Sequence, residues 1–291
     1  MTTEKSAEAL VAELIDLLTV QRDDEARFIG RRKIGGIGRV FGGQVIAQAL
    51  AAAEQTVQDE RIVHSLHAYF LRGGSEDHEI AFTVERDFDG GSFSNRRVIA
   101  SQQGAPILNL AASFHRRESG VSHATAMPDV TQPDDLVSES AIWARHIDLV
   151  SEPMRPIVTR PNAIDIRPVN PQHWLGLEKG PPRLAIWFRT VAPLPDDPRI
   201  HRAILAYASD NTLLGTCIVP HGLQWTSGQM MGASLDHAVW FHDNFRADEW
   251  LLYATDSPWA GNARGFNRGQ IFTQDGRLVA ETAQEGLIRV L

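Results

Sequence analysis

Residues 42–53 read GGQVIAQALAAA and residues 202–214 read RAILAYASDNTLL. The first has helical composition with scarcely any polar face and the second is another mostly apolar helix, and a helix apolar nearly all round must be enclosed by other structure. What encloses each one follows it in the chain. After the first come the strand-like runs Ile62 to Leu71, Ile80 to Asp87, Ser94 to Gln102 and Ile107 to His115, punctuated by turns at Asp89-Gly90-Gly91 and Gln103-Gly104. After the second come Ser234 to Phe241, Trp250 to Thr255, Ala263 to Thr273 and Leu278 to Val290, with a turn at Gln274-Asp275-Gly276. One enclosed helix followed by several antiparallel strands is an α+β unit, a sheet wrapped round a helix.

The two units share landmarks. His67-Ala68 is answered by His237-Ala238, 170 residues on, while Asn95-Arg96 is answered by Asn267-Arg268 and Gly104 by Gly276, both 172 residues on. Ordered matches at nearly constant spacing predict a duplicated unit. We therefore read residues 1–118 as an N-terminal unit and residues 163–291 as a C-terminal one. Residues 119–162, rich in Pro, Ser and Asp, form a crossover with a helix near Ser138 to Leu149. Strand-like Ile164 to Val169 and Arg183 to Val191 open the second unit. Near the start, Leu10, Val11, Leu14, Ile15 and Leu18 fall at helical spacing and predict an amphipathic helix over Ala7 to Leu18, laid on the body. The units are expected to pack side by side, because a continuous sheet hides their edge strands from unwanted partners.

Composition narrows the function. The chain has 291 residues, 43% of them hydrophobic, with 7 Trp and 12 Phe, enough apolar surface for a real core. Its net charge of −8 is broken by no long basic run, and a general nucleic-acid binder needs a positive surface to displace counterions from phosphates. An anionic ligand would have to find local cations, of which Arg31, Arg32, Lys33, Arg96, Arg97, Arg264 and Arg268 are the clusters available. Each is equally readable as solvated surface charge. The single cysteine, Cys217, excludes an internal disulfide and reads as a packing residue, which fits a reducing compartment. The N-terminus is acidic and amphipathic rather than basic and then continuously apolar, so it does not read as a signal peptide. No apolar run approaches membrane-spanning length. The expected location is the cytoplasm.

Three residues stand out chemically. Asp210 lies on an otherwise apolar, enclosed helix, where a carboxylate costs free energy unless it is paired or used. It is either a working group or a helix-end Asp bonded to the backbone. Gln284 sits in Val279-Ala280-Glu281-Thr282-Ala283-Gln284-Glu285-Gly286, where alternation puts Ala280, Thr282 and Gln284 on one face. A neutral amide both donates and accepts, which suits it to holding a water. Ser234 opens the strand-like run Ser234 to Phe241 and has no special claim by itself. His237 and His242, beside Asp236 and Asp243, match no metal-ligand spacing, and a strand histidine more often makes a structural hydrogen bond. There is no G-x-S-x-G nucleophile elbow. Gly35-Gly36-Ile37-Gly38 and Gly42-Gly43 miss the G-x-G-x-x-G dinucleotide spacing and read as a tight packing of helix on sheet.

Taken in order, several fragments resemble the type II acyl-CoA thioesterases. They are Arg39-Val40-Phe41-Gly42-Gly43-Gln44, His67-Ala68-Tyr69-Phe70-Leu71-Arg72, Ala206-Tyr207-Ala208-Ser209-Asp210, Leu235-Asp236-His237, Trp240-Phe241-His242, Glu249-Trp250-Leu251-Leu252-Tyr253, Ala263-Arg264-Gly265-Phe266 and Ala283-Gln284-Glu285-Gly286. The resemblance implies a double hotdog fold, acyl-CoA as substrate, no cofactor, no metal, and a homo-oligomer, a dimer or tetramer of double hotdogs. It also implies a catalytic Asp, hydroxyl residue and Gln, which fall here on Asp210, Ser234 and Gln284. The family often has Thr at the hydroxyl position, so Ser234 keeps the hydroxyl and loses a methyl. Two other readings belong beside this one. A hotdog enoyl-CoA hydratase would carry a Gly-Asp-x-Asn-Pro-x-x-His motif, whose Pro and His are missing around Asp210. A non-catalytic acyl-CoA binding protein would lack one of the three site residues, and all three are present.

Overall fold

Alternating burial makes most of the strands, and the apolar helices fill the space that their inner faces leave. The computed structural model describes residues 5–33 and 38–291. Residues 1–4 and Gly35-Gly36-Ile37 of the glycine-rich stretch lie outside the described residues. In chain order the first elements are helix α1 (Ala7–Leu18), strands β1 (Val20–Arg22) and β2 (Arg27–Gly30), and helix α2 (Gly42–Glu54). Strands β3 (Arg61–Phe70), β4 (Ile80–Asp89), β5 (Phe93–Gln102) and β6 (Ala105–Arg116) follow. The crossover holds the short helices α3 (Glu139–Arg145) and α4 (Arg155–Val158), after which come β7 (Ile164–Pro168), α5 (Pro171–Trp174) and β8 (Arg183–Thr190). Helix α6 (Pro198–Thr212) runs on into a 3-10 segment, Leu213–His221. The chain ends in β9 (Met230–Ser234), β10 (Asp236–Phe241), β11 (Leu251–Gly261), β12 (Arg264–Thr273) and β13 (Leu278–Val290).

All the strands belong to one sheet with the order β1-β2-β4-β5-β6-β3-β10-β13-β12-β11-β8-β7, and β9 pairs with β13 beside that path. Outward from the seam between β3 and β10 the order is the same in both halves: β3-β6-β5-β4-β2 on one side and β10-β13-β12-β11-β8 on the other. At the seam the strands are antiparallel, His67 opposite Ala238 and Ala68 opposite His237.

That register corrects the landmark spacing. His67 is exposed and His237 buried, and Arg96 is buried where Arg268 is exposed. Because successive side chains point to opposite faces, the matched dipeptides are one residue out of phase. The ladders supply a better correspondence. Glu85 lies opposite Arg97 between β4 and β5, Asp256 lies opposite Arg268 between β11 and β12, and both are cross-strand ion pairs. Their members are 171 residues apart, with charge and face both kept.

Ser234 also departs from expectation. It ends β9 instead of opening a strand, and Leu235 separates β9 from β10. Both strands lie along β13, β9 against Gly286–Val290 and β10 against Ala280–Ala283. Leu235 bridges the gap by donating its N–H to the Glu285 carbonyl and accepting from the Phe70 N–H. β10 has to pair with β3 as well, so the register along β13 slips by one residue there, from Ser234 opposite Gly286 to Ala238 opposite Ala283.

Helices α2 and α6 pack antiparallel. Near the start of α2, a Cβ built on Gly43 would come within 2.4 Å of the Tyr207 carbonyl oxygen on α6, so only glycine lets the backbones approach this closely. At the far end of α2, Glu54 meets Arg202 near the start of α6, with Arg202 Nε 2.8 Å from Glu54 Oε1. Both side chains are buried. Removing one partner of a buried ion pair leaves an uncompensated charge, a loss of about 3 to 5 kcal/mol. Glu54→Ala should therefore lower the unfolding free energy by about that much in chemical denaturation. Near wild-type stability would show that Arg202 finds water instead.

Candidate active site

Asp210 stands in the last turn of α6, and its side chain is almost wholly removed from solvent. Three oxygen and nitrogen groups from three elements converge there. Gln284 on β13 is fully buried, and its Nε2 donates to Asp210 Oδ1 at 2.5 Å and to Ser234 Oγ at 3.0 Å. Ser234 Oγ in turn donates to Asp210 Oδ1 at 3.3 Å. The three side chains named from the sequence thus form a closed hydrogen-bonded triangle. Because a carboxylate only accepts, the amide nitrogen must face Asp210, and Gln284 Oε1 is left buried with no partner among the described residues.

The two carboxylate oxygens have different surroundings. Oδ1 takes both hydrogen bonds. Oδ2 faces the first residue of α2, where a Cβ on Gly42 would come within 2.7 Å of it and 2.8 Å of the Phe70 ring. The cap residue of α2, Phe41, offers no side-chain hydrogen bond, so N–H groups of the first turn remain for a ligand. Phe41 packs edge-on against Tyr207 of α6, centroids 5.0 Å apart. The site therefore has a polar floor from the second half and an aromatic wall and helix end contributed largely by the first.

The histidine set aside as a strand histidine also lies here. His237 is fully buried on the inner face of β10, its Nε2 2.9 Å from Ser209 Oγ and its Nδ1 4.0 Å from Asp210 Oδ1. Burial pushes the imidazole below its usual pKa and the Asp210 charge opposes that shift, so the ring is neutral at physiological pH. Its position on a core-facing strand beside a carboxylate was the available signal; spacing along the chain could not show it.

Other sequence candidates are placed elsewhere. Arg96 is wholly buried and spends its guanidinium on Thr56, Phe88, Asn95 and Asp89, which makes it a structural clamp. Arg31 pairs with Asp16, Arg97 with Glu85, Arg264 with Glu285 and Arg268 with Asp256. Burial pushes the Cys217 thiol up to about 11, so it is an inert packing group. Among the described residues no group of three His, Cys, Asp or Glu is arranged to hold a metal ion, and no helix is long and apolar enough to cross a membrane. A cavity of about 400 Å³ between α1, α2 and α6 lies at the Glu54 end of the helix pair and shares no lining residue with the triangle.

Comparison with known proteins follows the same lines. Residues 165–287 match the family described as acyl-CoA thioesterase, and residues 31–115 match the acyl-CoA thioesterase N-terminal domain. Human acyl-coenzyme A thioesterase 8 is 39% identical over 282 residues, 94% of this chain and 88% of its own length. Acyl-CoA thioesterase 2 of Haemophilus influenzae is 37% identical over 276 residues, 95% of this chain and 96% of its own. Among solved structures, the acyl-CoA thioesterase II TesB2 of Mycobacterium marinum aligns with a TM-score of 0.78 at 39% identity, covering 97% of both chains. The architecture is an α+β double hotdog in which a buried carboxylate and amide meet a half-buried hydroxyl. The chain belongs to the acyl-CoA thioesterase family.

The close fit of Gly42 makes a direct test of the site. Gly42→Ala would push a methyl into Asp210 Oδ2 and Phe70, and a shift of about 1 Å in a reacting group costs on the order of a hundredfold in rate. Turnover of acyl-CoA should fall by about ten- to a hundredfold, alongside a stability loss of about 1 to 3 kcal/mol from the added methyl. Unaltered turnover would mean that Oδ2 does not face the reacting atoms.

Proposed function

We propose that this acyl-CoA thioesterase hydrolyses its substrate with a water activated by Asp210, with Ser234 and Gln284 holding that water and no covalent intermediate. What carries the reading is the triangle itself. Three side chains that are distant in sequence meet in hydrogen-bonding contact around one buried carboxylate.

The chemistry suits these groups. A thiol leaving group has a pKa near that of cysteine, about 8.5, so its departure needs little acid assistance and activating the water is the main task. Asp210 Oδ2, which takes no hydrogen bond from the described side chains, accepts the water's proton. Ser234 turns its hydroxyl toward the water oxygen, and Gln284 Oε1 is a free acceptor for the second proton. The N–H groups of Gly42 and Gly43 at the start of α2 polarise the thioester carbonyl as negative charge develops on its oxygen. Attack gives a tetrahedral intermediate, which collapses by breaking the carbon–sulfur bond, and the departing thiolate takes up the proton that Asp210 had accepted from the water. The products are the carboxylic acid and CoA.

The finer assignments are part of the same proposal. Pairing of double hotdogs into a dimer or tetramer is supported by the family resemblance and by Tyr69 and Leu71, large apolar side chains exposed at and just beyond the end of β3. A cytoplasmic location is supported by the lone free thiol at Cys217.

Asp210→Asn keeps shape and removes the base, so turnover should fall by about two to four orders of magnitude in a folded protein. A folded Asp210→Asn enzyme at wild-type rate would take Asp210 out of the mechanism. For Ser234, the two substitutions should separate. Ser234→Thr keeps the hydroxyl and should retain most activity, whereas Ser234→Ala loses a hydrogen bond to the reacting water and should cost about ten- to a hundredfold in turnover. Turnover at saturating acyl-CoA, measured beside melting temperature, decides between this role and a merely structural one. Equal rates for Ser234→Ala and wild type would leave Asp210 and Gln284 alone to hold the water.

A further inference from the structure

We infer that His237 is a positioning residue for Asp210, its Nδ1–H serving as the donor that steadies Oδ1 when Ser234 turns away to the water. The inference rests on Asp210 as the base and adds a residue that neither the family resemblance nor the triangle requires.

Its first support is geometric. The His237 ring is fully buried, Nε2 is 2.9 Å from Ser209 Oγ, and Nδ1 has no hydrogen-bond partner among the described residues while lying 4.0 Å from Asp210 Oδ1. Ser209 Oγ has one hydrogen and two acceptors within reach, His237 Nε2 at 2.9 Å and the Ala206 carbonyl at 3.2 Å. If it donates to Ala206, Nε2 carries the ring hydrogen and the Nδ1 lone pair faces the carboxylate. Two electron-rich atoms would then oppose each other in a dry site. If Ser209 donates to Nε2, Nδ1 carries the hydrogen and points a dipole at a negative charge. The second arrangement has the lower electrostatic energy. The remaining gap is the kind that closes in the loaded enzyme, since catalytic hydrogen bonds are often long before substrate binds.

The second support comes from the pseudo-equivalent position in the other half. On β10 and β13 the register of Ala238 with Ala283 sets His237 opposite Gln284. By the 171-residue correspondence, His237 answers to Leu66, whose partner across β3 and β6 is Ala112. Leu66 and Ala112 are both fully buried. At one core location, then, the half without a catalytic carboxylate has two apolar side chains and the half with Asp210 has two polar ones. Burying an imidazole with an unpartnered nitrogen costs free energy, and packing alone is satisfied by the leucine and alanine of the other half.

The role follows from counting donors on Oδ1. At rest it accepts from Gln284 Nε2 and Ser234 Oγ. When the Ser234 hydroxyl reorients to the water, Oδ1 loses one donor, and His237 Nδ1–H replaces it. The carboxylate stays in place, with Oδ2 toward the water. Around the ring, Asp210 is the charged group that faces it. Tyr253, which donates to the Ser209 carbonyl, is neutral because burial pushes its phenol well up.

Two substitutions separate the ring nitrogens. Asn places its amide nitrogen near Nδ1, and Gln places its amide near Nε2. His237→Gln should lower kcat about ten- to a hundredfold with KM little changed. It should also move the acid limb of the kcat profile to higher pH, because losing a donor to Oδ1 disfavours the ionised base. His237→Asn should recover most of both effects. The reverse ranking, or equal losses with an unmoved acid limb, would show that the ring acts only through Ser209 and would overturn the proposal. A measurement on the wild type stands if both variants fail to fold. In ¹⁵N-histidine NMR the buried ring should appear as the neutral Nδ1–H tautomer, and the Nε2–H tautomer would refute it. Asp210→Asn in the same assay keeps the two readings apart. If it retains turnover the base assignment fails, whereas an inactive Asp210→Asn beside a wild-type-like His237→Gln removes only His237.

Discussion

The antiparallel contact between α2 and α6 is the constraint on which the site depends. Gly43 lets α2 close on the Tyr207 carbonyl, and Gly42 leaves room for Asp210 Oδ2 and the Phe70 ring. At the other end the Glu54–Arg202 pair holds the same two helices. A buried ion pair is weak as net stabilisation but strict about geometry. Fixing the helices at both ends sets where the start of α2, from the first half of the chain, meets the end of α6, from the second. Neither half holds the site alone: the carboxylate and its hydrogen-bond donors come from one, and the free helix N-terminus and much of the aromatic wall from the other.

Duplication explains how such a site is built from one kind of part. The strand order of the continuous sheet repeats outward from the antiparallel β3–β10 seam, so each half supplies the same framework. The halves then differ around Asp210. The cross-strand pair Leu66 and Ala112 belongs to an ordinary core, whereas Gln284 and His237 occupy corresponding places in the other half. Such polar substitutions destabilise a core unless they bond to one another. Gln284 does so through Asp210 and Ser234, which closes the triangle.

Much of this was legible in the sequence. The two apolar helices announced themselves because a helix without a polar face has to be enclosed, and Asp210 stood out for the same reason. Gln284 was legible through alternation, which put it on the inner face with Ala280 and Thr282. The register slip at Leu235 was not, because it comes from β10 having to pair with β3 and β13 together, a condition no local pattern records. The repeat was seen through matching letters that were one residue out of phase, and only the ladder showed that the equivalent features are the Glu85–Arg97 and Asp256–Arg268 pairs. Arg96 looked like any surface cation because burial of a guanidinium depends on carbonyls and hydroxyls brought to it from Thr56 and Phe88.

In the mechanism proposed above, a division of labour between the two oxygens of Asp210 connects stability to catalysis. A desolvated carboxylate is costly unless hydrogen-bonded, yet a base with every lone pair occupied cannot take a proton. Concentrating the donors on Oδ1 resolves the conflict. Gln284 and Ser234 stabilise the charge from one side, while Oδ2 faces the end of α2 with no side-chain donor among the described residues. The positive end of that helix lies beside the carboxylate without consuming the lone pair that the proton needs. A glycine at position 42 leaves that room, since a Cβ there would come within 2.7 Å of Oδ2.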